Sequence, residues 1–228
     1  MSSANYSIQS DSMNFGGDRS SSASYTMEDT MGEVATGVSS STNYAMNAGY
    51  QQMQTTYIAV SSAANVTMSP AIGGVSGGTA AGATSFTVTT DDPAGYTGSI
   101  QASTSPALVD NASSTAAFAD YSPSGANPDF SFTNAATASS FGFSPKGADI
   151  SARYLDNGTN ACGTGSSQTS GACWDGLSTS PKAILSRTTA NQPSGTLTTI
   201  HFQAASGANH IQPAGTYTAT TTVTIVPN

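Results

Sequence analysis

The sequence predicts an all-β fold, a β-sandwich preceded by an extended N-terminal arm of strand-and-turn repeats. Three features carry the prediction. Apolar and polar residues alternate with a period of two in many short segments. Gly and Pro punctuate those segments at short intervals. A phrase recurs three times near the start: SSANYSIQ at 2–9, SSASYTME at 21–28 and SSTNYAMN at 40–47, with Tyr6, Tyr25 and Tyr44 spaced 19 residues apart. The 228 residues suffice for one large β domain with an extension. The division is expected near residue 56, giving an arm over 1–56 made of three 19-residue units and a sandwich over 57–228.

In the arm, the residue two after each tyrosine is Ile8, Met27 or Met46, and the residue nine after is Phe15, Val34 or Met53. Tyrosine and the +2 residue would share one face of a strand, and glycines would end each unit. A unit this short cannot bury its own apolar face and needs neighbours, within the chain or from another copy. These nine residues are the expected assembly contacts.

Beyond the arm, ANVTMS (64–69) reads as a strand and the Gly/Ala/Ser-rich stretch 70–85 as a loop. SFTVTT, the turn DDPAG, YTGSIQAS, FSFT and SSFGFS follow as a strand succession. GTLTTIHFQA is a strand, and AGTYTATTTVTIVP another. In the latter, Tyr217, Ala219, Thr221, Val223 and Ile225 fall on one face and Thr218, Thr220, Thr222 and Thr224 on the other. Helical signals are confined to a turn or two in 144–156 and 180–187.

Only 8% of residues are charged, against about 25% in ordinary soluble domains. Five are Lys or Arg and the net charge is −8, with no basic cluster. Phosphate backbones are bound by clustered cations, so nucleic acid is excluded as a partner. No apolar run reaches the roughly 18–20 residues of a membrane span, so membrane insertion is not expected. The opening MSSANYSIQSD lacks the basic and apolar regions of a secretory signal. Composition and cysteine usage favour an exported protein, extracellular or at the cell surface, whose signal has been removed.

Cys162 and Cys173 flank a Gly/Ser/Thr-rich segment with no helical period, which reads as a local disulfide. Two free thiols are one alternative. A zinc site is another, and it would have to recruit the distant His201 and His210.

Catalytic constellations are weak. Gly74-Val75-Ser76-Gly77-Gly78 matches G-x-S-x-G but has no helix pattern behind it, as a nucleophile elbow requires. His201 is expected on the wet face of its strand and His210 before a turn. No enzyme is expected. No cofactor is called for, although the oxygen-rich Asp156–Asn160 phrase leaves a structural calcium open against ordinary Asx-turn chemistry. Trp174, beside Cys173, packs in the core or else stacks on a sugar, with Tyr154 and Tyr121 nearby in the same loops. A Lys–Asn isopeptide would have to use Lys146 or Lys182, and nothing singles either out.

The closing strand AGTYTATTTVTI resembles the G-x-Y-T-x-T-x-T-V strand of bacterial spore-coat and fimbrial-type domains and the end of WxL-type cell-wall domains. GYTGSIQAS is similar to the WxL-domain strand with the phrase G-W/Y-x-L-x-I/V, except that Gly98 stands where that phrase has a large apolar residue. SSTNYAMNAGYQQMQ resembles a short repeat of secreted bacterial proteins of unknown function. The resemblance implies an exported bacterial surface or appendage protein with an immunoglobulin-like or pilin-like sandwich, and it brings no catalytic residues. The expected function is therefore a structural subunit of an extracellular filament or surface layer. It would be its own partner, assembling head to tail by β-strand addition of the arm. The alternative is a surface adhesin or carbohydrate-binding module using Trp174 and Tyr154.

Overall fold

A computed structural model describes residues 19–22, 26–28, 37–40, 45–48, 56–113 and 115–228. The chain divides into two compact units, Met1–Thr56 and Tyr57–Asn228.

The first unit contains two antiparallel hairpins. Arg19–Ser21 (β1) pairs Thr26–Glu28 (β2), and Gly37–Ser40 (β3) pairs Ala45–Ala48 (β4). Their registers repeat with the sequence. Ser20 stands opposite Met27, and Ser39 opposite Met46, each 19 residues further on. In both hairpins a serine-containing strand, Arg19–Ser21 or Gly37–Ser40, precedes and pairs with the strand that carries the +2 residue. This differs from the expected single strand followed by a turn: the serines supply the ladder partner for the +2 residue.

The second unit is all-β, and its described residues contain a single 3-10 turn, Ala152–Tyr154. Its strands are Ile58–Val60 (β5), Gly78–Thr90 (β6), Tyr96–Ala102 (β7), Leu108–Asp110 (β8), Ala117–Asp120 (β9), Ser139–Gly147 (β10), Asp175–Gly176 (β11), Lys182–Arg187 (β12), Thr196–Ser206 (β13), Tyr217–Thr218 (β14) and Thr221–Pro227 (β15). The larger sheet runs β14-β8-β9-β10-β13-β6-β5, with β11 beside β9 along one edge of β10. Its β9–β10 pair is parallel and the others are antiparallel. The smaller sheet runs β12-β7-β15, antiparallel throughout.

The long centre of the larger sheet follows from its residues. Thr196–Ser206 matches Gly78–Val88 residue for residue, with Phe86, Val88, Ile200 and Phe202 turned inward and the intervening Thr, Ser and His positions outward. One apolar cluster draws on both sheets, including Phe86 and Val88 of β6, Ile100 of β7, Phe141 and Phe143 of β10, Ile184 and Leu185 of β12, and Ile200 and Phe202 of β13. Gly98 also faces inward. A Cβ there would lie 2.8 Å from Ile225 Cδ1 and 2.9 Å from Leu185 Cδ1, so side chains of both flanking strands occupy the space a large residue would need.

Several expected elements are corrected. The Gly-rich stretch 70–85 is a loop only to Gly77, and Gly78–Ser85 continues into the longest strand of the sheet. Small residues are needed there because 64–68 lies across that strand. A Cβ on Gly82 would meet Val66 Cγ1 at 2.5 Å. The same 64–69 stretch is not a strand, and only Ser69 bridges to Ala81. FSFT (130–133) is irregular, and the 182–187 segment read as a helical turn is strand β12. The closing strand is two strands. β14 joins the larger sheet through β8, and after Ala219–Thr220 the chain crosses to join the smaller sheet through β7. The predicted alternation survives the crossing, with Tyr217, Ala219, Val223 and Ile225 packed against the core.

Candidate docking groove

The inner face of the larger sheet is covered by the smaller sheet, by the loops that carry Tyr154 and the disulfide, and by the non-strand segment 61–69. That segment is pinned to β6 at several points. Ser61 N–H donates to Thr87 O at 2.9 Å, Thr84 Oγ1 to Ala64 O at 2.8 Å, and Ser69 N–H to Ala81 O at 2.9 Å. The cover is incomplete. A cleft of about 660 Å³ has core side chains in its lining: Phe86, Ile100, Leu108, Phe141, Ile200 and Phe202. Residues from Val60 to Met68 line it as well, as do Tyr217–Thr221 and Val223. Every lining residue is uncharged. β15 is the edge strand of the smaller sheet. It pairs β7 on one side, and its other edge has no strand partner among the described residues. It carries no charged residue.

No family model, no curated protein and no solved structure matches this chain.

Six of the predicted site residues lie among the described residues. Met27 and Met46 occupy equivalent positions in β2 and β4. Tyr6, Ile8, Phe15, Tyr25, Val34, Tyr44 and Met53 lie outside the described residues. Cys162 and Cys173 form a disulfide, and both are buried. Trp174 and Tyr154 are 4% and 0% exposed, which removes the stacking face expected of a sugar platform. The Trp174 ring meets Phe132 edge-on at 5.3 Å, and its Nε1–H donates to Gly171 O at 2.8 Å. Phe132 stacks on Tyr121 at 4.5 Å, and the Tyr121 hydroxyl donates to Asp129 at 2.7 Å. These aromatics are consumed in packing the loops onto β10 and β11 because a large ring beside a disulfide is the main apolar mass available there.

Two buried carboxylates, neither flagged as a site in the sequence, lock the irregular segments. Asp175 in β11 accepts from Lys182 Nζ at 2.8 Å, Arg153 Nη2 at 3.1 Å and the Tyr154 hydroxyl at 3.1 Å. Burial alone would raise its pKa, but the Lys182 and Arg153 cations reverse that and hold it below the ordinary value. Burial, with the Asp175 charge, pushes the Tyr154 phenol well up. Asp149 accepts from the Tyr96 hydroxyl at 2.6 Å and Arg187 Nη1 at 2.9 Å, tying the Ile150 turn to β7 and β12. Burial and this carboxylate likewise raise the Tyr96 phenol.

Asp156 directs its carboxylate at protein donors: the Gly158 N–H at 2.7 Å, the Thr169 N–H at 2.6 Å and the Thr169 hydroxyl at 2.9 Å. Burial opposes its ionisation, but these bonds and the Lys146 charge hold its pKa below the ordinary value. Asn157 Oδ1 accepts from the backbone of Thr159, Asn160 and Ala161. This is Asx-turn geometry, with the side-chain oxygens engaged by the chain itself. Among the described residues, no group of three or more His, Cys, Asp or Glu is placed to hold a metal.

Ser76 sits in the turn before β6, closed by Gly77 N–H to Gly73 O at 3.0 Å, and leads into a strand rather than a helix. His201 lies on the outer face of β13 and His210 Nε2 is 3.2 Å from Gln212 Oε1. Neither histidine is hydrogen-bonded to a serine or cysteine among the bonds of the described residues.

Proposed function

We propose that this protein is a structural subunit of an extracellular bacterial filament or surface layer. In this reading residues 57–228 form a pilin-like, immunoglobulin-like sandwich, and an arm strand from another copy adds to it. The observation that carries the proposal is the uncharged cleft beside β15, which reaches down to buried core side chains of both sheets. An uncharged edge strand of seven residues is a template for main-chain pairing. The arm supplies the complement. Isolated two-stranded hairpins are marginal in water, so β1–β2 and β3–β4 gain stability by joining a larger sheet.

Each apolar side chain buried in the cleft contributes about 1.5–3 kcal/mol, and each added main-chain bond about 0.5–1.5 kcal/mol net. Association opposes this with several kcal/mol, so one such contact is modest and a polymer of them is stable. An arm and a groove on different parts of one chain make a heterologous contact, which propagates without closing. The disulfide suits an oxidising, extracellular compartment.

Negative-stain electron microscopy of the full chain and of a chain lacking 1–56 tests the proposal. Regular fibres or sheets are expected from the full chain and dispersed particles from the truncated one. Assembly that persists without the arm removes the arm as connector.

A further inference from the structure

Resting on that reading, we infer that the arm element seated in the cleft is the second hairpin, β3–β4, of another copy, entering along the edge of β4 opposite β3. The 19-residue repeat makes the two hairpins directly comparable. In the first, Arg19 stands opposite Glu28. In the second, the equivalent positions are Val38 opposite Asn47, so both charges are gone. All of β4, Ala45–Ala48, is uncharged, whereas β2 ends on Glu28.

The cleft selects between them. None of its lining residues is charged, so it offers no partner for a carboxylate. Burying Glu28 there would leave an unpaired charge, and a charge on an edge strand is also what keeps strand edges from joining. Opposite charges facing each other across a ladder instead suit a hairpin that remains in water. β4 therefore matches the cleft and the uncharged edge of β15 in both charge and period. β3 occupies one edge of β4, and its other edge has no strand partner among the described residues.

The test uses the full chain, whose two native cysteines are already joined. One population carries Thr221→Cys at the start of β15, and a second carries Met46→Cys or Met27→Cys. The populations are mixed under assembling conditions and oxidised. Because the thiols sit on different chains, a mixed dimer reports contact between copies. The Met46→Cys mixture is expected to give at least about tenfold more mixed dimer than the Met27→Cys mixture, since tenfold corresponds to only about 1.4 kcal/mol of discrimination. Asn47→Glu, which restores the charge found at position 28, is expected to abolish assembly, while Glu28→Gln leaves it intact.

Equal or greater cross-linking through Met27→Cys overturns the choice of hairpin. So does assembled material in which neither variant cross-links and Asn47→Glu still polymerises. Both results would leave the wider subunit reading standing. Failure of the unmodified full chain to assemble at all would overturn that reading, and this inference with it.

Discussion

Replacing Asp175 with asparagine is the sharpest test of how the second unit is held together. The side chain is 1% exposed and accepts two cations and a buried phenol. Removing one partner from a buried ion pair costs about 3–5 kcal/mol, because the remaining charges lose their compensation. Lys182 and Arg153 are 31% and 39% exposed and can recover part of their hydration, which places the expected loss near the lower end, about 3 kcal/mol. At roughly 2.1 cal/mol/K per residue, the unit of residues 57–228 has an unfolding entropy of about 0.36 kcal/mol/K. The melting temperature should therefore fall by about 8 °C.

The loss also has a pH signature. The folded pKa of Asp175 lies below its ordinary value of 3.8, so its contribution is complete above that pH and drains away as pH falls through the folded value. Calorimetric melts of wild type and Asp175→Asn from pH 7 to pH 2 should show a gap that closes on acidification below about pH 4. A gap under about 0.5 kcal/mol at pH 7, the range of ordinary surface substitutions, would refute the reasoning. So would a gap that stays constant down to pH 2.

Three further outcomes are expected. Joint Cys162→Ala and Cys173→Ala substitution opens a closure of sequence separation 11 and should cost about 2–3 kcal/mol in urea unfolding. Gly82→Val should cost about 1–3 kcal/mol in the same assay by lifting the 64–68 segment from β6, since even a Cβ meets Val66 at 2.5 Å. His201 has its pKa lowered by burial and then by the Lys146 charge. The folded protein thus favours neutral His201, and stability should decline as pH falls below its ordinary value of 6.5 through the folded value. His201→Gln should flatten that part of a melting-temperature profile taken from pH 8 to pH 5.

Period-two alternation made much of the fold legible. It gave β13 and the two faces of Tyr217–Ile225, because a strand with one buried face writes its own face assignment. It could not show the crossing at Ala219–Thr220, since the alternation passes through unbroken. Composition misled at Gly78–Ser85, where small residues mark the close passage of 64–68 rather than a loop. Lys182–Arg187 looked helical because Ala, Leu and Lys favour helices, but β7 offered it a ladder and buried Ile184 and Leu185. The groove was least legible. Phe86, Ile100, Phe141 and Ile200 read simply as core, and only the arrangement of distant segments leaves them lining a cleft.

The central claim, that the cleft and the edge of β15 opposite β7 receive another copy, is tested most directly by amide hydrogen exchange on dispersed and assembled protein. Amides of Thr221–Val226 that do not bond to β7 should exchange quickly when dispersed and become protected on assembly, together with amides of 61–68. Unchanged exchange across both segments in assembled material would contradict the account.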